Sequence, residues 1–242
     1  MNKIHLHPIH NAGFGNLLYQ LFAAIDFAKT NNVGVSVHGF NEVNDQYKFL
    51  FNNIDKDDKV NSFIYTTDFN KYLPLPINKI FCAYCQNLKY IEHLTIDEML
   101  DIINIKPKYT KCVVHVRGGD YFKNGNENIY YKLNKDYYTK ALNLLNIDIK
   151  DAIVITNDSY YAKQLFGDDI NISNNYFIDD FRLLCGADNI VLANSTFSIW
   201  GAYLNKTANV VYSDKYYTDD FIKKNNVSYL NIYKPNWTKV DI

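Results

Sequence analysis

Between residues 111 and 213 the chain switches repeatedly from short β-branched apolar runs to longer stretches with helical spacing. This alternation restricts the fold more than any other feature of the sequence. "KCVVHV" (111–116), "AIVIT" (152–156), "NIVLAN" (189–194) and "NVVYS" (209–213) read as buried strands, the last taken as the final strand. Between them, "DYYTKALNLLN" (136–146) sets Tyr138, Ala141, Leu142 and Leu145 on one helical face. "DDFRLLCGAD" (179–188) reads as a helix capped by Asp179 or Asp180, and "STFSIWGAYLN" (195–205) as another carrying Phe197, Trp200, Gly201 and Leu204 at helical spacing. Strand alternating with helix at this pitch predicts a parallel sheet covered on both faces.

The first half repeats the scheme more loosely. A strand over 3–9 leads through the glycine turn "AGFGN" into a helix over 17–32, and "VGVSVH" (33–38) follows as a second strand. "TIDEMLDIINIKP" (95–107) opens with a capping box, Thr95 with Glu98, and stops before Pro107. Residues 41–78 carry no clear period. The pattern places a domain boundary near 105–111, taken here as 1–108 and 109–242.

Composition removes several classes of function. With 48% hydrophobic and 21% charged residues the chain can bury a core, and a net charge of −1 without a basic run argues against nucleic-acid binding by charge. The first residues lack the apolar stretch of a signal peptide, and no segment approaches the ~20 apolar residues that span a bilayer. Four scattered cysteines, Cys82, Cys85, Cys112 and Cys185, do not form a disulfide framework. A cytoplasmic protein with reduced thiols is the expectation.

Three segments could carry chemistry. In "VVHVRGGDYF" (113–122), His115 and Arg117 lie two apart and share a strand face at the C-terminal end, where open α/β sheets bind ligands. Of the 25 basic residues only Arg117 and Arg182 are arginine, so a planar fork suited to bidentate phosphate binding stands out. Gly118 and Gly119 would let backbone approach a ligand, and Asp120 follows. The spacing fits a phosphate site and a strand-end Arg117–Asp120 ion pair equally well. In "LANSTFSIWGAYL", Ser195 and Thr196 open a helix, whose free N–H groups suit an anion or are simply capped by these hydroxyls. "NAGFGN" (11–16) is a glycine turn that fails as a dinucleotide fingerprint, since Leu18 stands where the third glycine belongs.

Other features carry less. His5, His7 and His10 look like a metal triplet but lack a carboxylate at ligand spacing. "CAYC" (82–85) reads as buried thiols and "DKDD" (55–58) as a solvated loop.

Together the three segments resemble glycosyltransferase family 11, the α-1,2-fucosyltransferases. The family's G-G-L-G-N-Q turn is "AGFGN" here, its H-x-R-R-x-D motif is "HVRGGD", and its third motif is "DFRLLCGADNIVLANSTFSIWGAYL" (180–204). The chain departs from the pattern at Gly118, where the family has a second arginine, and at Ile199-Trp200, where it has paired tryptophans. It is also short for the family.

The resemblance implies a GT-B-like α/β fold of two Rossmann-like domains with parallel sheets facing a cleft. The N-terminal domain would take the acceptor and the C-terminal domain the GDP-sugar. It further implies an inverting, metal-independent transfer of fucose from GDP-fucose to a galactose 2-hydroxyl, with no cofactor beyond the donor. By position, Arg117 would hold the diphosphate, His115 the GDP portion, and Ser195 and Thr196, following Asn194, the phosphate. Gly13, Gly15 and Asn16 would approach the diphosphate, and Asn157 and Asp158 would contact the nucleoside. Asp120 is the candidate base. The implied partners are a GDP-sugar and a galactose-containing glycan, with no nucleic acid and no membrane span, though peripheral membrane association stays open. A transferase using another nucleotide sugar, and a catalytically silent nucleotide- or glycan-binding protein of the same fold, are the alternatives.

Overall fold

A computed structural model describes residues 2–60, 63–65, 75, 77–225, 227 and 231–242. The chain divides into two compact units, Met1–Asn104 with Ser228–Ile232, and Ile105–Val227 with Tyr233–Ile242. The division thus falls at 104/105 rather than 108/109, and a short C-terminal segment belongs to the first unit.

Unit 1 contains β1 (Lys3–Leu6), α1 (Phe14–Asn31), β2 (Gly34–Val37), β3 (Asp55–Lys56), β4 (Phe63–Tyr65), β5 (Ile80–Cys82) and α2 (Ile96–Ile102). Its strands are all parallel, in the order β3-β2-β1-β5-β4. The first strand ends at Leu6, earlier than expected, although the His7 N–H still bonds the Phe81 carbonyl of β5 at 2.9 Å. The α1 helix ends where Asn32 adopts a left-handed conformation and donates its N–H to the Ala28 carbonyl. The α2 capping box is present in both directions between Thr95 and Glu98.

Unit 2 contains β6 (Thr110–Val116), α3 (Lys135–Leu145), β7 (Ile153–Thr156), α4 (Ser159–Phe166), β8 (Asn171–Ile172), α5 (Phe177–Gly186), β9 (Ala187–Val191), α6 (Thr196–Leu204), β10 (Asn209–Tyr212), α7 (Asp219–Asn225) and β11 (Thr238–Lys239). All its strand pairs are parallel, in the order β11-β10-β9-β6-β7-β8. Both faces of β6 are buried from Cys112 to Val116, as a central parallel strand requires, and this makes its apolar run continuous. Cys112, Val114 and Val116 pack with Tyr137, Tyr138, Ala141, Val154, Ala162 and Val191 in one core.

Further local expectations differ from this structure, beginning with α1, which starts at Phe14 rather than 17, so that Gly15 and Asn16 lie in its first turn. The α5 helix begins at Phe177, so neither Asp179 nor Asp180 caps it. Asp179 pairs with Arg182 instead, and Asp180 accepts hydrogen bonds from Ser173 and Asn175, holding the loop after β8. Helix α4, capped by Asp158 through Tyr161 N–H, was hidden in a tyrosine-rich stretch. The strand over 209–212 is followed by β11, which is only two residues long and exposed, and so leaves no periodic signal.

Candidate functional site

Read from β8, the unit 2 sheet runs β8-β7-β6-β9-β10-β11, which in local chain order is 3-2-1-4-5-6. The order reverses between β6 and β9. At such a switch point the loops leaving the two strands turn to opposite faces and open a crevice at their carboxyl ends. The segments singled out in the sequence, 117–120 and 194–196, leave these two strands.

His115 sits near the end of β6 and is only 4% exposed, its ring 5.8 Å from that of Phe197 on α6. Its Nδ1 is buried without a hydrogen-bond partner. Burial, reinforced by the Arg117 charge, lowers its pKa to about 3, so the imidazole is neutral and can exchange a hydrogen bond but not a charge. Arg117 follows the strand, with its Nη2 2.7 Å from Asp120 Oδ2 and its guanidinium 4.6 Å from the centre of the Tyr121 ring. Its Nε is also buried and unpartnered. The ion pair and an anion site are therefore compatible, since the pair fixes one end of the fork and leaves donors over.

Asn157 and Asp158, expected at the nucleoside, grip the glycine turn. Asn157 accepts the Gly118 N–H at 2.9 Å and donates to the Gly118 carbonyl at 3.2 Å and to Asp120 Oδ1 at 2.9 Å. Asp158 Oδ2 accepts the Gly119 N–H at 2.9 Å. A Cβ at Gly118 would lie 2.8 Å from the Asp158 Cβ, and Gly119 has φ +60°. The turn is closed by side chains from the neighbouring strand's end, and glycine at 118 is what admits them. Each Asp120 oxygen accepts one hydrogen bond, Oδ2 from Arg117 and Oδ1 from Asn157, and each keeps a further lone pair.

Ser195 is the N-cap of α6, yet no side chain caps the helix, and its first turn carries no acidic residue. The simple capping alternative thus does not account for Ser195, and the dipole of the α6 N-terminus favours an anion there. Asn194 serves the scaffold: its Nδ2 donates to the Tyr131 carbonyl at 2.7 Å and the Tyr216 carbonyl at 3.0 Å. The Tyr121 hydroxyl donates to the Asn194 carbonyl at 3.3 Å, so one tyrosine supports both Arg117 and the approach to α6.

In unit 1, Gly13 is the N-cap of α1, with no side-chain cap and no acidic residue in the first turn. Asn16 accepts from Gln86 Nε2 at 3.0 Å through Oδ1, while its carbonyl accepts from Gln20 Nε2 at 3.1 Å. Gln20 Oε1 in turn takes the Ile9 N–H at 2.9 Å, fixing the chain before the turn. Gln20, Gln86 and Tyr121 were not singled out in the sequence. A glutamine within the apolar face of a long helix was the one signal that could have found Gln20.

The remaining features are structural. His5 pairs with Ser36 at 2.6 Å and His7 with His38 at 3.2 Å. All four cysteines are buried and free, with burial pushing the Cys82 thiol up to about 11 and the Cys112 thiol to about 12. Among the described residues no group of three or more His, Cys, Asp or Glu is placed to hold a metal ion. Among them too, no helix is long and apolar enough to cross a membrane.

Comparison with known proteins agrees with this fold. The profile of glycosyl transferase family 11 matches residues 39–241. The O-antigen biosynthesis glycosyltransferase WbnK of Escherichia coli is 31% identical over 127 residues, 45% of this chain and 42% of that protein. The matched stretch is thus under half the relative's length. The crystal structure of the NodZ α-1,6-fucosyltransferase soaked with GDP-fucose superposes with a TM-score of 0.52 at 13% identity, covering 88% of this chain and 95% of that one. NodZ from Bradyrhizobium, in a second structure, gives 0.50 at 13% identity over 84% and 93%. The fold is GT-B-like, with two Rossmann-like units each built on a parallel sheet.

Proposed function

Given that the chain belongs to glycosyl transferase family 11, we propose that it transfers fucose from GDP-fucose to a glycan hydroxyl, the galactose 2-hydroxyl, with inversion and without a metal ion. The observation that carries this reading is the switch point of unit 2. There Arg117, the neutral His115 and the uncapped start of α6 surround the carboxyl ends of β6 and β9.

The chemistry follows from charge. As the bond between the sugar's anomeric carbon and the β-phosphate oxygen breaks, negative charge gathers on the departing GDP. Fixed donors aimed at that diphosphate stabilise the transition state more than the ground state. Arg117 supplies a charged fork, the α6 N-terminus supplies the positive end of its dipole, and His115 Nδ1 supplies a neutral hydrogen-bonding group in a dry environment. Asp120 and Tyr121 hold the guanidinium in place. The acceptor hydroxyl attacks the opposite face of the anomeric carbon and its proton passes to a base. Asp120 is the candidate for that base, with one oxygen ion-paired to Arg117.

The NodZ structure soaked with GDP-fucose supports the choice of donor, through fold alone. Its α-1,6 linkage keeps other acceptor hydroxyls in view, so the acceptor panel must span several linkages.

Calorimetry with GDP and UDP, followed by incubation with GDP-fucose and galactose-terminated oligosaccharides in EDTA, tests the reading. Tighter binding of GDP and a mass gain of one deoxyhexose are expected. UDP binding as tightly, or EDTA abolishing turnover, would contradict it. GDP binding with no transfer from any donor would favour a catalytically silent protein.

A further inference from the structure

We propose that the start of α1 reads a pyranose hydroxyl rather than a phosphate, and that Gln86 is the residue that makes it do so. The inference rests on the glycosyl-transfer reading and names a substrate contact within it.

Gln86 is 4% exposed, and its Oε1 is buried with no hydrogen-bond partner. Its Nε2 donates to Asn16 Oδ1 at 3.0 Å, in the first turn of α1, so the side chain lies against the helix start. The backbone goes out of its way to put it there. Cys85 has φ +52°, a left-handed conformation unusual for a residue with a side chain, and its carbonyl accepts the Asn87 N–H at 2.8 Å. A buried acceptor left without a donor is destabilising, and such groups persist where a ligand completes them.

The donor and acceptor pattern identifies the ligand. Asn16 Oδ1 takes the Gln86 Nε2 bond, which turns the N–H donors of the Asn16 amide nitrogen away from Gln86, while the Asn16 and Leu17 backbone N–H groups already bond the Gly13 carbonyl. Phosphate oxygens would suit the Asn16 amide donors but are repelled by Gln86 Oε1, because both are acceptors. A hydroxyl satisfies Oε1 by donating to it, and can still accept from an amide. A Cβ built on Gly13 meets nothing within 4 Å, which leaves open space over the N-cap. The hydroxyl belongs either to the sugar being transferred or to the acceptor glycan.

The test titrates GDP, GDP-fucose and a galactoside into the wild-type chain and Gln86→Met, whose side chain has similar length but neither amide group. GDP affinity should stay within about two-fold. A rise of about ten-fold in the GDP-fucose Kd alone places the hydroxyl on the donor, and the same rise for the galactoside places it on the acceptor. Equal weakening toward GDP and GDP-fucose, or no change for any ligand, overturns the inference. If circular dichroism shows Gln86→Met unfolded, Gln86→Glu keeps an acceptor oxygen and should hold sugar affinity within about three-fold. Loss of sugar binding in that variant with GDP binding intact would overturn the proposal. A wild-type chain that binds the galactoside but not GDP counts against the nucleotide reading alone, and the galactoside titration then decides the Gln86 contact.

Discussion

The Arg117 guanidinium lies on the face of the Tyr121 ring, 4.6 Å from its centre, while Tyr130 stacks on the same ring at 3.9 Å. Asp120 holds the fork from the side at 2.7 Å. Plane and edge of the guanidinium are therefore both fixed before any ligand arrives, which is the preorganisation that transition-state stabilisation needs. A lysine could keep the charge but neither the flat stack nor the paired donors.

Arg117→Lys should therefore lower kcat/KM by about a hundred-fold, the usual cost of losing a donor aimed at developing charge. Steady-state kinetics across GDP-fucose concentrations checks this. Wild-type-like values would remove the argument from bidentate geometry.

Tyr121 separates packing from hydrogen bonding. Tyr121→Phe keeps the ring beneath the guanidinium and loses the hydroxyl's bonds to the Asn194 carbonyl and to Tyr216, neither of which touches Arg117, so GDP affinity should change less than about two-fold. Tyr121→Leu removes the π face and should weaken GDP by about three- to five-fold, the range of a partly exposed cation–π contact. Similar affinities in the two variants would deny the ring its role.

Restoring the family's second arginine should harm this chain. Gly118→Arg forces a Cβ to within 2.8 Å of the Asp158 Cβ and breaks the clamp on the turn. A loss of about 1–3 kcal/mol is expected from overpacking, seen as a lower urea midpoint. Gly118→Arg with Asp158→Gly removes the opposing Cβ but also the carboxylate that takes the Gly119 and Tyr161 N–H groups, so the double variant should relieve the overpacking yet stay below wild type.

His115 gives a pH signature. Its folded pKa of about 3 lies below the unfolded value near 6.5, so between these limits the unfolded chain binds more protons. The stability this neutral histidine allows is present above pH ~6.5 and is lost as pH falls toward ~3, at up to about 1.4 kcal/mol per pH unit. His115→Gln should flatten that part of the stability profile measured by urea titration. GDP binding by the wild type should show no His115 titration between pH 6 and 8.

Much of the architecture was legible because it is local. The β-branched run of β6, the glycine turn before α1 and the serine-threonine start of α6 announce themselves through neighbours a few residues away. So did the capping box at Thr95. What the pattern mislaid was also local but ambiguous: α4 is short and tyrosine-rich, and an aspartate pair near α5 looked like a cap while serving a loop.

The sequence alone determined that strands and helices alternate, that His115 lies at the close of a strand with Arg117 just beyond it, and that an arginine was kept where lysine is the rule. Only the tertiary structure decided which strand ends are neighbours. The reversal of order between β6 and β9 brings residues 115–120 beside 194–197, and nothing periodic encodes it. The same holds for the supports: Asn157 reaches Gly118 across 39 residues, Tyr121 reaches Asn194 across 73, and Gln86 reaches Asn16 across 70. Periodicity reports which face a side chain takes, whereas these contacts depend on chain closure over long loops, which only the packed sheets fix.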